Sequence, residues 1–351
     1  MPHLSIATLA TDAPMGAQVY QEEIASRAAA ALEALEPGWT VDRTIARSLR
    51  SPLPGNRRLP MGWLTHASPA ARRVLGRSIY PRGAVVHRMN LELPPAPGAD
   101  VITLHDVVSW RFPDESAPVA AAAEEARRAD AVICVSRFSA QEAVDLLGIA
   151  DPYVVHNGVD DRFFRAEPLG HDRLTELGVT GPYVLTAGGA SRRKNLDGLA
   201  AAWPKVHSSR PDLTLVLSGP EHPRRTELFG GMPGVRLVGR VPDTTVPGLI
   251  AAAAAVVVPS RYEGFGLPAL EGMAAGVPVV AARTSSLPEV VGDGGILVEP
   301  TPDELAEGII FATSGDAALG PIVDSGRRRA RRFTWETSAA GHARVWATVG
   351  A

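Results

Sequence analysis

Short runs of aliphatic and β-branched residues recur along this chain, each closed by glycine, proline or polar residues and followed by a stretch with helical spacing. That alternation limits the fold more than any other feature. Successive strands joined by helical crossovers pair in parallel, and parallel sheets need helices on both faces. The pattern predicts an α/β protein. In the first half the strand candidates are LSIATLA (4–10), AVVH (84–87), DVITLH (100–105), AVICVS (131–136) and YVVH (153–156). Helices are expected over 17–35 and 137–148, the second with Ser136 as N-cap. In the second half the strands read YVLTA (183–187), LTLVLS (213–218), VRLVG (235–239), AAVVVPS (254–260), VPVVAA (277–282) and GILVE (295–299). The polar segment DDRFFRAEPLGHDR (160–173) breaks this rhythm. A length of 351 residues fits about two domains, so one doubly wound domain is expected in each half.

Several classes are disfavoured. The formal net charge is −3, which gives no global basic field for nucleic acid. Cys134 is the single cysteine, so no internal disulfide can form. The opening residues MPHLSIATLATDA lack a signal-peptide layout, and a cytoplasmic location is the expectation. The apolar run LIAAAAAVVVP (249–259) is too short for a bilayer, which takes about 20 residues. GRRRARR (326–332) reads as a solvated helix face, with peripheral contact to an anionic membrane as the alternative. FTWETSAAGHARVWATVG (333–350) reads as a helix whose Trp335, Val345 and Trp346 pack on a domain surface.

The chemistry concentrates in RYEGFGLPALEGMAAGVPVV (261–280). Ligands of open α/β sheets bind beyond the carboxyl ends of strands, and this segment follows such an end. Pro268 suits a first helical position and Gly276 an end, giving a helix near 268–275. Its free N–H groups face residues 263–267, where Gly264 and Gly266 let a ligand approach the backbone. That is an anion site, with phosphate as the anion. Glu271, expected in the first turn, points back toward it. A carboxylate at 4 Å from a phosphate is repelled by about 1 kcal/mol in water and about 4 at an effective dielectric of 20. Its two acceptor oxygens suit the vicinal diol of a ribose instead, and Glu263 suits a sugar hydroxyl. Amides on a diphosphate with acids on the polyols at either end describe a nucleotide sugar. The same residues also fit a capped helix whose Glu offsets the dipole.

Neighbouring segments favour the first reading. GGASRRKN (188–195) follows a strand, and Arg192, Arg193 and Lys194 there suit a diphosphate, or else a solvated loop. Lys194 and Lys205 are the only lysines in an arginine-rich chain. His105 stands at a strand end, which marks it as a catalytic candidate against a structural role. SSLPE (285–289) reads as a capping-box-like start with Ser286 and Glu289. Gly16, after the first strand, offers an N–H to a phosphate or is only a turn.

The run E-G-F-G-L-P-x-L-E-x-M-x-x-G-x-P-V-V resembles the signature of retaining GT-B glycosyltransferases of the large family 4, or group 1, type. H-D near 105, V-x-C-V-S-x-F-S at 132–139, H-N-G-V-D at 156–160, R-K-N-L at 193–196, G-x-V-P-D at 239–243 and F-T-W-E at 333–336 agree in order. The resemblance spans essentially the whole chain. It implies two Rossmann-like domains facing a central cleft, at 1–165 (acceptor) and 166–332 (nucleotide sugar), with 333–351 crossing back onto the first. It implies ribose on Glu271 and the transferred sugar on Glu263. The backbone around Gly264, Phe265, Gly266 and Leu267 would hold sugar and phosphate, with Gly188 and Gly16 also at the donor. Arg193 and Lys194 would stabilise the leaving diphosphate, His105 would sit beside the donor sugar, and Val241 near the nucleobase. Two positions depart from the pattern. Gly189 stands where many members carry arginine, with Arg192 as the expected substitute, and Met15-Gly16 stands where paired glycines are common.

The resemblance thus implies retaining transfer of a hexose to an acceptor hydroxyl on a glycan, lipid-linked molecule or small molecule. LHDVVSWRFPD (104–114) resembles mannosyl- and rhamnosyltransferases more than sucrose-type members, making GDP-mannose the first donor to test. No D-x-D motif stands at a strand end, so neither a metal nor another cofactor is expected. The alternatives are a phosphorylase, a nucleotide-sugar epimerase or a non-catalytic nucleotide-sugar binding protein.

Overall fold

The computed structural model describes residues 1–11, 16–112 and 115–351. Met15 and residues 113–114 of the LHDVVSWRFPD segment lie outside the described residues. The chain forms two compact units, Met1–Gly158 with Trp335–Ala351, and Val159–Thr334. Both are α/β, as expected.

The first unit holds β1 (His3–Leu9), β2 (Thr40–Ser48), β3 (Arg57–Leu59), β4 (Val85–Arg88), β5 (Asp100–Leu104), β6 (Ala131–Cys134) and β7 (Tyr153–Val154). They pair in parallel in the order β3-β2-β1-β4-β5-β6-β7. Strands β2 and β3 went unrecognised in the sequence because β2 carries several charges and is mostly exposed or half-buried, and β3 is only three residues long. The helix Arg137–Leu147 starts as expected, with the Ser136 hydroxyl accepting from the Ser139 amide at 3.0 Å.

The last helix, Trp335–Gly350, lies along the helix Gly16–Leu35 in this unit, with Trp335, Val345 and Trp346 buried. A hydrogen-bond chain of fixed direction ties it to the sheet. The Trp346 indole can only donate, so His87 accepts at Nδ1 (3.2 Å) and carries its proton on Nε2. That proton goes to the Thr103 hydroxyl at 2.8 Å, which donates to Tyr20 at 2.8 Å, which donates to His342 Nε2 at 2.6 Å. His342 Nδ1 closes the chain on the Ser338 carbonyl at 2.8 Å. Each imidazole is therefore neutral. Burial agrees, pulling His342 down to about 4 and His87 well below its usual value.

The second unit holds β8 (Tyr183–Ala187), β9 (Thr214–Ser218), β10 (Val235–Gly239), β11 (Ala255–Val258), β12 (Val279–Ala282) and β13 (Ile296–Val298). They run in parallel in the order β10-β9-β8-β11-β12-β13. This is the dinucleotide-fold order, and its switch point lies between β8 and β11. One core packs Trp203, Val257, Leu305 and Ile309, with the Trp203 indole donating to the Pro233 carbonyl at 2.9 Å.

The unit begins at Val159 rather than at 166. The reason is local: Phe163 is buried, Arg162 donates to the Asp243 carbonyl at 3.2 Å, and the Leu169 amide donates to Gly248 at 2.9 Å. The basic run is only partly solvated. Arg329 donates to the carbonyls of Glu289 and Val290, each at 2.7 Å, at the end of the helix Leu287–Val291. Arg327 donates to the Phe164 carbonyl at 2.7 Å. Among the described residues no helix is long and apolar enough to cross a membrane.

Candidate functional site

The loops leaving β8 and β11 diverge at the switch point of the second unit, and most of the expected residues collect there. The loops are tied together: the Arg261 amide donates to the Arg193 carbonyl at 2.7 Å, and Asn195 donates to the carbonyls of Pro259 (3.0 Å) and Pro300 (3.1 Å). Lys194 Nζ reaches both oxygens of the buried Glu263, at 2.6 and 2.9 Å. The Ser260 hydroxyl donates to Glu263 Oε1 at 2.7 Å, and Arg193 lies 3.5 Å from Oε2. Burial pushes the Glu263 carboxyl up, but Lys194 and Arg193 outweigh it and hold the group below its usual range. Glu263 is therefore an ionised anchor that aims Lys194, with both oxygens already engaged.

The glycine turn that follows is built as expected. The helix spans Leu267–Ala275, from Gly266 at φ 105° to Gly276 at φ 72°. Among the described residues, the Gly266 and Leu267 N–H groups have no acceptor. Ser285 and Ser286 hold the turn from behind. The Ser285 hydroxyl accepts from the Glu263 amide at 2.9 Å, and the Ser286 hydroxyl bonds the carbonyls of Glu263 (2.9 Å) and Phe265 (2.8 Å). Ser286 thus makes no capping-box bond to its own helix; the carbonyls of the turn claim its only proton. The Phe265 ring packs on Phe333 at 5.8 Å, which leaves only its backbone for a ligand.

A Cβ on Gly266 would lie 2.7 Å from Leu287 Cδ2, at a φ that L side chains avoid. Gly266→Ala is expected to cost about 1–3 kcal/mol in urea unfolding, and to shift the open amides enough to weaken nucleotide binding.

Glu271 is the fifth residue of its helix, in the second turn rather than the first, because the helix begins one residue early. A dipole role fades beyond the first turn, so the helix-stabilising reading weakens. Its carboxyl makes no hydrogen bond or ion pair among the described residues. Burial raises it to about 7, against a lowering pull from Arg162 and a further push from Asp160. A half-buried acid without a partner fits a site that awaits hydroxyl donors.

The remaining candidates are distributed as follows. The Gly188 amide is committed to the Ser218 carbonyl at 3.1 Å. Arg192 is exposed on its 3₁₀ turn. Val241 is buried after β10. Gly16 is the exposed first residue of its helix in the first unit. His105 also belongs to that unit, directly after β5, with its ring edge-on to Tyr20 at 4.6 Å. Among the described residues its buried Nε2 has no partner, and burial pulls it down to about 4. It borders a cavity of about 250 Å³ with Asn90, Glu92, Asp106 and Trp110. Among the described residues no group of three or more His, Cys, Asp or Glu could hold a metal.

Sequence reasoning missed Ser260, Ser285 and Arg225. The serines were legible as strand and helix ends, but their partners lie in other segments. Arg225, the third residue of the helix Pro223–Phe229, is 4% exposed.

A family model described as Glycosyl transferases group 1 matches residues 181–314, and one described as Glycosyltransferase Family 4 matches 62–163. The chain is 32% identical over 271 residues to O-antigen chain mannosyltransferase B of Escherichia coli, covering 72% of this chain and 71% of that protein. It is 32% identical over 236 residues to a GDP-mannose-dependent alpha-(1-6)-phosphatidylinositol dimannoside mannosyltransferase of Mycobacterium tuberculosis, covering 65% of this chain and 60% of that one. Anabaena HepE in complex with UDP-glucose superposes with a TM-score of 0.74 at 22% identity, covering 99% of each chain. Sucrose-phosphate synthase from Thermosynechococcus elongatus follows at 0.73 and 21%, also over 99% of each. At these identities the two structures speak for the fold alone.

Proposed function

Because the chain belongs to the group 1, family 4-type glycosyltransferases, we propose that it moves a hexose, mannose first among candidates, from a nucleoside diphosphate to an acceptor hydroxyl with retention at the anomeric carbon. One observation carries this reading: Lys194 aimed by a buried Glu263, beside open amides and an unpartnered Glu271 at the carboxyl edge of a parallel sheet. Glu271 takes the ribose diol, the Gly266 and Leu267 amides take phosphate, and Val241 lines the base. Mannose is supported by the two mannosyltransferase relatives.

The C1–phosphate bond breaks as the bond from C1 to the acceptor oxygen forms on the same face. Charge grows on the departing diphosphate, where Lys194 and Arg193 meet it without a metal. Glu263 is a poor nucleophile, since its oxygens are held by Lys194 and Ser260. His105, at about 4, is a weak base at neutral pH, so the acceptor proton passes to the leaving phosphate oxygen. The cavity beside His105 suits a carbohydrate acceptor, with Trp110 for a sugar face and Asn90 and Asp106 for hydroxyls. A pyridoxal phosphorylase is disfavoured, because Lys194 is ion-paired and Lys205 is exposed between Asp303 and Glu307.

A melting screen across UDP-, GDP-, ADP- and dTDP-sugars is the direct test. The true donor at 100 times its Kd should add about 2.7 kcal/mol, and turnover should persist in EDTA with the product's anomeric coupling unchanged. No shift with any activated sugar would end the proposal; loss of turnover in EDTA would end its metal-free form.

A further inference from the structure

Arg225 sits at the carboxyl ends of β8 and β9 in the second unit and, among the described residues, has no anionic partner. Its Nη2 donates to the carbonyls of Gly188 and Ser218, the latter at 3.3 Å, which fixes the guanidinium over the ends of β8 and β9. Nη1 donates to nothing among the described residues, and the buried Nε has no acceptor. No carboxylate among the described residues lies within 4.0 Å of it, whereas Lys194 and Arg193 share Glu263 and its neighbour Arg224 pairs with Asp197. Burying an unpaired charge costs several kcal/mol, so a fold that keeps one has either a compensating dipole or a ligand to meet it. The two carbonyls supply part of the compensation through one nitrogen only.

The surroundings specify the ligand. Arg225, Lys194, Thr186, Gly189 and Ser260 line one slot of about 10 Å³, room for a single water-sized group. Its polar lining consists of two cations and two hydroxyls on a floor completed by Ala187, Leu196, Val258 and Pro259, and Lys194 already pairs with the nearby Glu263. Glycine lets the guanidinium sit where it does: a Cβ on Gly219, at φ 135°, would lie 2.8 Å from Arg225 Nη2 and 2.2 Å from the Gly188 carbonyl oxygen. Gly189 lines the slot, and a Cβ there would meet nothing within 4 Å.

We propose that Arg225 is a donor-binding residue: its free guanidinium edge and Lys194 together grip one oxygen of the donor's terminal phosphate, supplying from the helix Pro223–Phe229 the cation that Gly189 cannot. Arg192, exposed on its turn, is not that cation. The inference rests on the nucleoside diphosphate donor proposed above.

The test compares nucleoside diphosphates with their monophosphates by calorimetry, using GDP and GMP, UDP and UMP, ADP and AMP. Arg225→Gln keeps a donor for the Gly188 carbonyl; Arg225→Ala removes it. In both, the preferred diphosphate should bind about 10- to 100-fold more weakly, the loss of one charge-assisted contact, while its monophosphate changes by less than about twofold. Adding Gly189→Arg to Arg225→Gln should recover at least about threefold of that affinity, because a new cation enters the same slot. Equal affinity of Arg225→Gln and wild type for the diphosphate would overturn the assignment. So would parallel weakening of mono- and diphosphate, which marks a structural role, or no recovery with arginine at 189. A wild-type protein that binds no diphosphate more tightly than its monophosphate would instead sink the donor reading itself.

Discussion

Lys194→Ala will lower turnover with the true donor by about 10²–10³-fold, the usual effect of removing one preorganised donor to a developing charge. The same change will also destabilise the protein, which a solvated phosphate-binding lysine would not do. Glu263 is 7% exposed and takes two of its hydrogen bonds from Lys194, so losing the lysine strands a buried carboxylate. Breaking a buried pair from one side costs about 3–5 kcal/mol. Arg193 at 3.5 Å and Ser260 at 2.7 Å soften the loss without replacing it. The double variant Lys194→Ala with Glu263→Gln separates the two effects. Urea unfolding should recover most of the stability, and single-turnover rates should stay low. Near-normal turnover in either variant would remove Lys194 from the chemistry.

Glu271→Gln will trade binding for stability, and pH will expose the trade. The folded carboxyl titrates near 7 and the unfolded one near 4.5. The folded state therefore holds the extra proton between these values, and stability falls as pH rises through that window. Above it the protein carries an ionised, half-buried and unpartnered acid, a cost of about 2–3 kcal/mol that glutamine removes. The variant should unfold at higher urea than wild type at pH 8 and at nearly the same urea at pH 4.5. Its donor affinity should drop about 30- to 100-fold, since an amide offers a diol one acceptor where a carboxylate offers two. Equal stability of the two proteins at pH 8 would mean that Glu271 already has a partner. Equal donor affinity would move the ribose elsewhere.

The parts of the fold that were legible in the sequence are those where burial is symmetric. β11 and β12 are covered on both faces and read as unbroken aliphatic runs, and the glycines flanking 267–275 announce a helix with an open start. β2 carries Asp42, Arg43 and Arg47 and has no such signature. The site was legible where one short segment contains it, as at Glu263 to Glu271. It was not legible where distant segments converge. Nothing in PRRTELF marks which of two adjacent arginines turns inward, because that depends on the carbonyls of Gly188 and Ser218 beneath it. Likewise, the pairing of Lys194 with Glu263 joins residues 69 positions apart.

The first unit is completed by the segment Trp335–Ala351, which returns to it only after the whole of the second unit has intervened in the chain. The contiguous second unit can finish folding while the first still lacks Trp346, His342 and the covering for Tyr20 and His87. A nascent chain therefore exposes an aromatic and imidazole-lined face until residues 335–351 have followed the second unit, which makes the first unit, though begun first, the later of the two to become protected from aggregation and proteases.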